Sequence, residues 1–324
     1  MLSTLRGGPA AAKPRTPADP VRISVVIPTY NAAATVAEAV RSVLAQTRPA
    51  DEVIVVDDGS TDETASALAA FGPPVRVIRQ ANGGVSSARN RGVGEATGVV
   101  IAFLDADDFW HPRKLERQVP VLLADPALGL LGTGTFAWPG AVPTLAEPLP
   151  PARPVALTDL VVRNAFAASS VVARADVLRA AGEFDTRQQG TEDYDLWLRV
   201  AQFAAVANLP TPLTGYRVAT AGSLSKNAAR MEAGMRLILG KLAAAGVFAG
   251  KPRLRARVWG YFHYSCGYMH SQARDWSAAA GHLARSLTRY PLAYSPAEVR
   301  HPFGRLRLLA ACAVKTLTRR GAAR

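Results

Sequence analysis

The sequence predicts an α/β fold, a mostly parallel sheet flanked by helices and continued by a C-terminal helical extension. Three observations predict it. Short β-branched runs alternate with helix-length amphipathic stretches at the spacing of βαβ units. The runs are apolar throughout, as strands covered on both faces must be. Several end abruptly in polar clusters, above all Ile101-Ala-Phe-Leu-Asp-Ala-Asp-Asp108. Unpaired charge is too costly inside a buried strand. Asp105, Asp107 and Asp108 therefore lie past a strand's C-terminal end, where open α/β sheets bind ligands.

Residues 1–20 lack the apolar core of a signal peptide and read as a disordered leader. Residues 22–28 form a buried strand stopped by Pro28, and residues 32–46 a helix with Val36, Val40, Val43 and Leu44 on one face. Residues 52–57 are a second strand ending in Asp57-Asp58-Gly59-Ser60, after which Ser60 or Thr61 caps a helix carrying Ala65, Leu68 and Ala69. Residues 75–78 are a third strand. Gly83-Gly84 then opens a helix over 86–96, offering backbone N–H groups to a phosphate, with Arg89 or Arg91 in reach of an anion. Residues 99–104 are the fourth strand. Right-handed crossovers bring Pro28–Asn31, Asp57–Gly59 and Asp105–Asp108 to the same sheet edge.

His111-Pro112 begins a helix with Leu115, Val119 and Leu122, which Pro120 ends or kinks. Residues 128–136 read as a strand, and the six prolines of residues 138–155 as an irregular surface loop near the acceptor side. Residues 169–173 form a strand and 175–181 a short helix ended by Gly182. Thr191 caps a helix whose first turn holds Glu192, Asp193 and Asp195 and whose buried stripe is Leu196, Val200 and Phe203. Residues 206–209 and 213–217 close the domain as edge strands. The resulting division is a leader 1–20, a domain 21–222 and a basic helical region 223–324.

The net charge of +13 is unevenly placed. Residues 226–324 hold 18 Lys/Arg against Glu232, Asp275 and Glu298, whereas the other 225 residues hold 20 basic and 22 acidic groups. The surplus suggests an anionic partner for the C-terminal region, a membrane surface or a polyanion. Within it, residues 256–291 resemble one tetratricopeptide-like helix pair without a second copy. The basic amphipathic stretch 305–320 can lie on an anionic membrane or pack on the catalytic domain. Cys266 and Cys312 have no metal or redox spacing, so the expected compartment is a reducing cytoplasm. No apolar run approaches the roughly 18 residues of a membrane span. Peripheral contact with the inner face of a membrane is therefore the membrane expectation, and nucleic acid is not an expected partner.

Clustered carboxylates repel unless a cation joins them, and a hard ion such as Mg2+ or Mn2+ is the natural one. The bland alternative is an acidic turn capping the next helix, with acids at 192–195 merely serving their helix dipole. His111 beside the acids is more often structural than a ligand.

Val25-Val-Ile-Pro-Thr-Tyr-Asn31, Val55-Val-Asp-Asp-Gly-Ser60, Ser87-Ala-Arg-Asn-Arg-Gly92, Phe103-Leu-Asp-Ala-Asp-Asp108 and Glu192-Asp-Tyr-Asp-Leu-Trp197, in this order, resemble family 2 glycosyltransferases of the GT-A (Rossmann-like) fold. The resemblance covers about residues 22–220. It implies inverting transfer of a sugar from a nucleotide-diphosphate donor to an acceptor hydroxyl, and a tail held at a membrane would put it near a lipid-linked glycan or other cell-envelope acceptor. By position, Pro28, Thr29, Tyr30, Asp58, Arg89, Asn90, Asp105 and Ala106 border the donor. Asp105 and Asp107 form the DxD metal site, with Asp108 adjacent. Asp193 is the general base, with Glu192 and Trp197 as further site positions. The Gln-x-x-Arg-Trp motif of processive members is absent after residue 199, which favours single-sugar addition. Two alternatives stand beside this reading. A nucleotidyltransferase would need a basic glycine-rich loop after the first strand, and Pro28–Asn31 offers none. A non-catalytic scaffold would have no need of Asp105, Asp107 and Asp193.

Overall fold

A computed structural model describes residues 21–188, 190–217, 227–294 and 303–322. The expected leader and the expected boundary at 222–223 lie outside the described residues. A nine-stranded sheet runs in the order β3-β2-β1-β4-β8-β6-β9-β5, with β7 also on β9. Its first half is parallel: β1 (Ile23–Thr29), β2 (Glu52–Asp57), β3 (Val75–Arg79) and β4 (Val100–Phe103). Between them lie α1 (Val36–Leu44), α2 (Thr64–Leu68) and α3 (Val85–Glu95). Thr29 is in register with Asp57, which puts the two polar strand ends side by side.

The second half is mixed. β5 (Phe109–Trp110), α4 (Lys114–Ala124) and β6 (Leu128–Trp138) are followed by β7 (Arg153–Pro154), α5 (Leu157–Leu160) and a 3-10 turn, Ala168–Ser170. Then come β8 (Val172–Arg174), α6 (Ala175–Ala181), α7 (Glu192–Val200) and β9 (Ala205–Arg217). β8 is antiparallel to both β4 and β6, whereas β6 and β9 are parallel.

Side chains of the central strands alternate between two cores, as the pleat requires. Val26, Ile54, Val56, Ile101 and Phe103 face α3, α6 and α7. Val25, Ile27, Val53, Val55 and Ala102 face α1 and α4. Both faces are covered, which is why these strands read as continuous apolar runs. α3 is pressed against β1: a Cβ on Gly92 would stand 2.3 Å from Val26 Cγ1.

Several expectations are corrected. Residues 206–209 and 213–217 belong to one strand, interior between β6 and β5 rather than at the edge. Pro210 and Pro212 hid its continuity, and register shifts around Gly134 opposite Pro212 absorb the missing donors. The strand expected at 169–173 begins at Val172 after a 3-10 turn. α4 continues through Pro120, held by the buried Leu115, Val119 and Leu122. Phe203 is exposed and lies outside the buried stripe of α7, and Leu44 is exposed on α1.

The C-terminal helices are α8 (Ala228–Ala244), α9 (Pro252–Gln272), α10 (Trp276–Arg289) and α11 (Gly304–Ala322). α8 and α9 do not form a core of their own. Ile238, Leu239, Leu242, Val258, Phe262 and Cys266 join the core that contains Trp197 and Phe103. α9 and α10 pack as a helix pair in the stretch where one was expected, with Gly267 against Leu283. α11 closes a small cluster with α10 through Cys312, Ala279 and Leu283. Among the described residues no helix is long and apolar enough to cross a membrane.

Candidate active site

The edge formed by the strand ends is laced by polar contacts from the loops. After β1, Asn31 takes a positive φ of 48°. Its N–H donates to Ser60 Oγ (3.0 Å) and its Oδ1 accepts from Thr61 N (2.8 Å). Asp58 N donates to Thr29 O (2.9 Å). Pro28 and Thr29 are buried at the end of β1, while Tyr30 stands half exposed beyond it.

Asp58 is only 2% exposed. Its carboxylate accepts from Gln80 Nε2 (2.8 Å), Gly83 N (3.0 Å) and Gly84 N (2.7 Å). This corrects the phosphate expectation, because those two glycine N–H groups are already satisfied by an anion of the chain itself. Gly84 allows the turn, at φ 85°.

The acid turn follows β4, where charge can leave the sheet. Ser169 of the 3-10 turn organises it from behind. Ser169 Oγ accepts from Asp105 N (3.0 Å) and donates to Asp108 Oδ2 (2.6 Å). Asp108 Oδ1 accepts from Arg217 N (2.9 Å) at the end of β9. Asp108 therefore points inward, fully buried, and is corrected from a further ligand to a brace of the turn. Burial together with the charges of Asp105 and Asp107 pushes its carboxyl well above the carboxylate range, to about 8. Asp105 and Asp107 remain partly exposed, and Ala106 between them is buried.

A single guanidinium joins this turn to α7. Arg89 of α3 donates from Nη2 to Asp105 Oδ1 and from Nη1 to Glu192 Oε1, both at 2.7 Å. Glu192 also accepts from Gly190 N (2.8 Å). Arg89 is 3% exposed and lies over the Phe184 ring. The two carboxylates hold its guanidinium firmly protonated. With both Nη groups so engaged, it bridges the two acidic turns. Asn90, likewise expected at the donor, clamps the Phe184 backbone from both sides, Nδ2 donating to its O and Oδ1 accepting from its N. Trp197 is corrected to a core residue: it is fully buried and packs on Phe103 and Phe184.

Asp193 is the first-turn acid of α7 that makes no ion pair among the described residues. Its Oδ1 accepts from Tyr194 N (2.6 Å) and its Oδ2 from Asn164 Nδ2 (3.3 Å). Burial and the adjacent Glu192 carboxylate push it up to about 7, against the pull of Arg89. Asp195, two residues on, is buried with Arg199 (3.0 Å) and Lys241 (2.5 Å), and Lys241 also reaches Asp185 (2.8 Å). α8 thus anchors the first turn of α7, and Gly234 lets it approach, since a Cβ there would meet Thr191 Oγ1 at 2.3 Å. Thr191 Oγ1 donates to Gln188 Oε1 and makes no side-chain cap. His111 is structural: Nδ1 accepts from Arg113 N and Nε2 faces Pro143 O.

Asp105 and Asp107 offer partly exposed oxygen donors on one turn, which fits a hard divalent ion. Among the described residues, the His/Glu group close enough to share an ion is elsewhere, Glu232, His270 and His282 on α8–α10. Ser169, Asn164, Arg217 and Lys241 were not expected from the sequence. Arg217 Nε also donates to Asp107 O (2.7 Å) and its Nη2 to Glu38 (2.6 Å), so the end of β9 fixes the acid turn.

This architecture is the GT-A fold. A solved mannosyltransferase of Pyrobaculum calidifontis, in complex with GDP-Man and Mn2+, aligns with TM-score 0.60 and 23% identity over 91% of this chain and 87% of its own. TarS of S. aureus aligns with TM-score 0.59 and 20% identity over 92% of this chain and 53% of its own. Residues 24–137 match the family model described as Glycosyl transferase family 2. An uncharacterised glycosyltransferase of Nostoc sp. (strain PCC 7120) is 43% identical over 115 residues, 34% of this chain and 36% of the relative. One of Rickettsia bellii is 32% identical over 197 residues, 57% of this chain and 28% of the relative. The chain spans about a third of the length of the curated relatives it matches.

Proposed function

We propose that the chain transfers a single sugar from a nucleotide-diphosphate donor to an acceptor hydroxyl, with inversion at the anomeric carbon. The observation that carries this reading is the Arg89 bridge. It sets the first turn of α7, with Asp193, against the acid turn at the end of β4. The acceptor O–H gives its proton to Asp193 as the oxygen attacks the anomeric carbon. The bond from that carbon to the diphosphate oxygen breaks on the opposite side, and the nucleoside diphosphate leaves. One displacement inverts the centre, and no enzyme nucleophile is needed. Asp105 and Asp107 would hold Mg2+ or Mn2+, which when bound neutralises charge on the leaving diphosphate. Neighbours in complex with UDP, UDP-GlcNAc and GDP-Man with Mn2+ support a nucleotide-sugar donor. Tyr30 at the crevice edge is the base-side contact, and a lipid-linked glycan at a membrane surface is the acceptor class.

Asp193→Asn tests the reading. Transfer to a hydroxyl acceptor should fall roughly 10^2- to 10^4-fold, while thermal stabilisation by the donor with Mn2+ persists. In the parent chain the rate should rise through pH about 7, where Asp193 ionises, and level off above it. A fully active variant would remove Asp193 as the base.

A further inference from the structure

The basic surplus of the C-terminal region has a location. Arg255, Trp259 and His263 recur at every fourth position of α9 and share one face. Arg285 and Arg289 do the same on α10, and Arg236 comes from α8. These six residues line one cavity of about 400 Å³, within the range of small-ligand sites, about 300–1,000 Å³. Among the described residues no carboxylate lines it. Arg236 is paired with Glu232 at its inner edge (2.6 Å), but Arg255, Arg285 and Arg289 have no acidic partner among the described residues. Like charges gathered from three helices repel, and i,i+4 pairs of them weaken a helix. A bowl of this kind is stable in use when an anion fills it.

His263 forms the floor. Its Nδ1 lies 3.1 Å from His282 Nδ1, and His282 Nε2 lies 3.3 Å from Glu232 Oε2. Behind the floor, His270 Nε2 is 3.0 Å from the same Glu232 oxygen. This buried group ties α8, α9 and α10 together and sets the three helices that carry the arginines. Burial and the neighbouring His282, Arg285, Arg236 and Arg289 hold His263 low, at about 4, so the floor is neutral and the arginine rim supplies the charge.

We propose that this bowl is a binding site for a phosphoryl group, separate from the crevice at the sheet edge. Guanidinium forks match phosphate oxygens two at a time, which a lysine cannot do. The volume leaves room beside Trp259 for what the phosphate is attached to. The phosphate can belong to a soluble compound or to a lipid headgroup.

The test uses the full chain in EDTA without nucleotide sugar, so that its outcome is independent of the proposed transfer. Pyrophosphate binding is followed by calorimetry, and sedimentation is followed with phosphatidate and phosphatidylcholine vesicles. Arg285→Ala/Arg289→Ala, on exposed helix positions, should weaken whichever ligand binds by roughly tenfold or more. Arg255→Ala, from a different helix, should act in the same direction, and Arg285→Lys should lie between. Arg253→Ala, exposed on α9 outside the bowl, should change nothing. Loss confined to pyrophosphate assigns a soluble phosphate, and loss of phosphatidate vesicles assigns a headgroup. The proposal is overturned if the parent chain binds neither probe. An equal loss on Arg253→Ala overturns it too, since binding would then be diffuse electrostatic attraction.

Discussion

The acid turn after β4 and the first turn of α7 each present three carboxylates within four residues, and each sorts them the same way. One faces inward, Asp108 or Asp195. One holds Arg89, Asp105 or Glu192. One is left partly exposed towards the edge, Asp107 or Asp193. The difference lies in how the inward acid is stabilised. Asp195 meets two cations, Arg199 and Lys241. Asp108 meets a hydroxyl and a backbone N–H, with no cation on its oxygens among the described residues. Identical residue types thus do opposite electrostatic work: an anchor paired with two cations in α7, and a carboxyl biased towards its neutral form in the turn. That bias leaves the turn less negative than its composition suggests, while Asp105 and Asp107 keep their places at its surface.

The largest effect on this symmetry should come from the residue that both triplets share. Arg89→Ala leaves Glu192 buried without its cation and Asp105 unbridged, and removal of one partner of a buried pair costs about 3–5 kcal/mol. Urea denaturation should show that loss. Arg89→Lys should recover only part of it, because one ammonium cannot span two carboxylates as a planar fork does. If Arg89→Ala costs less than about 1 kcal/mol, the two turns are held together by packing of Phe184 and Trp197, and the bridge is incidental.

The convergence of strand ends was legible for a simple reason. Strands buried on both faces carry unbroken apolar runs, so the first charge after each run marks where the sheet ends. Direction was not legible. Nothing local says that Asp108 turns inward, because its partners Ser169 and Arg217 are 61 and 109 residues away. Gly83-Gly84 has the composition of a phosphate loop, yet its N–H groups serve Asp58. Trp197 sits in a motif beside Asp193, yet helical rotation turns it into the core. The prolines of β9 and the anchoring of α8 by Lys241 are likewise tertiary facts. Of the basic tail, Arg305 is buried and donates to the carbonyls of Tyr290, Pro291 and Leu292, contacts that no local pattern announces.

The smaller effect is a matched pair of substitutions on the two inward acids. Asp195→Asn removes the countercharge of Lys241 and Arg199 and should cost roughly 1.5–3 kcal/mol, the range for hydrogen bonds to charged groups. Asp108→Asn replaces a carboxyl already biased towards neutrality, and should cost under about 1 kcal/mol at pH 7. The pH dependence gives the sign. The folded Asp108 carboxyl is raised to about 8 from its ordinary 3.8. Between those values the unfolded chain releases a proton that the folded chain keeps. Its contribution to stability is therefore whole below pH about 4, declines as pH rises, and is lost above about 8. In EDTA, the parent chain should lose stability between pH 6 and 8 relative to Asp108→Asn, and the two denaturation curves should approach or cross near the upper end. Parallel curves, or an Asp108→Asn cost as large as that of Asp195→Asn, would mean that the turn holds Asp108 ionised. The two triplets would then be electrostatically alike, with the charge on the acid turn balanced by Arg89 and Arg217.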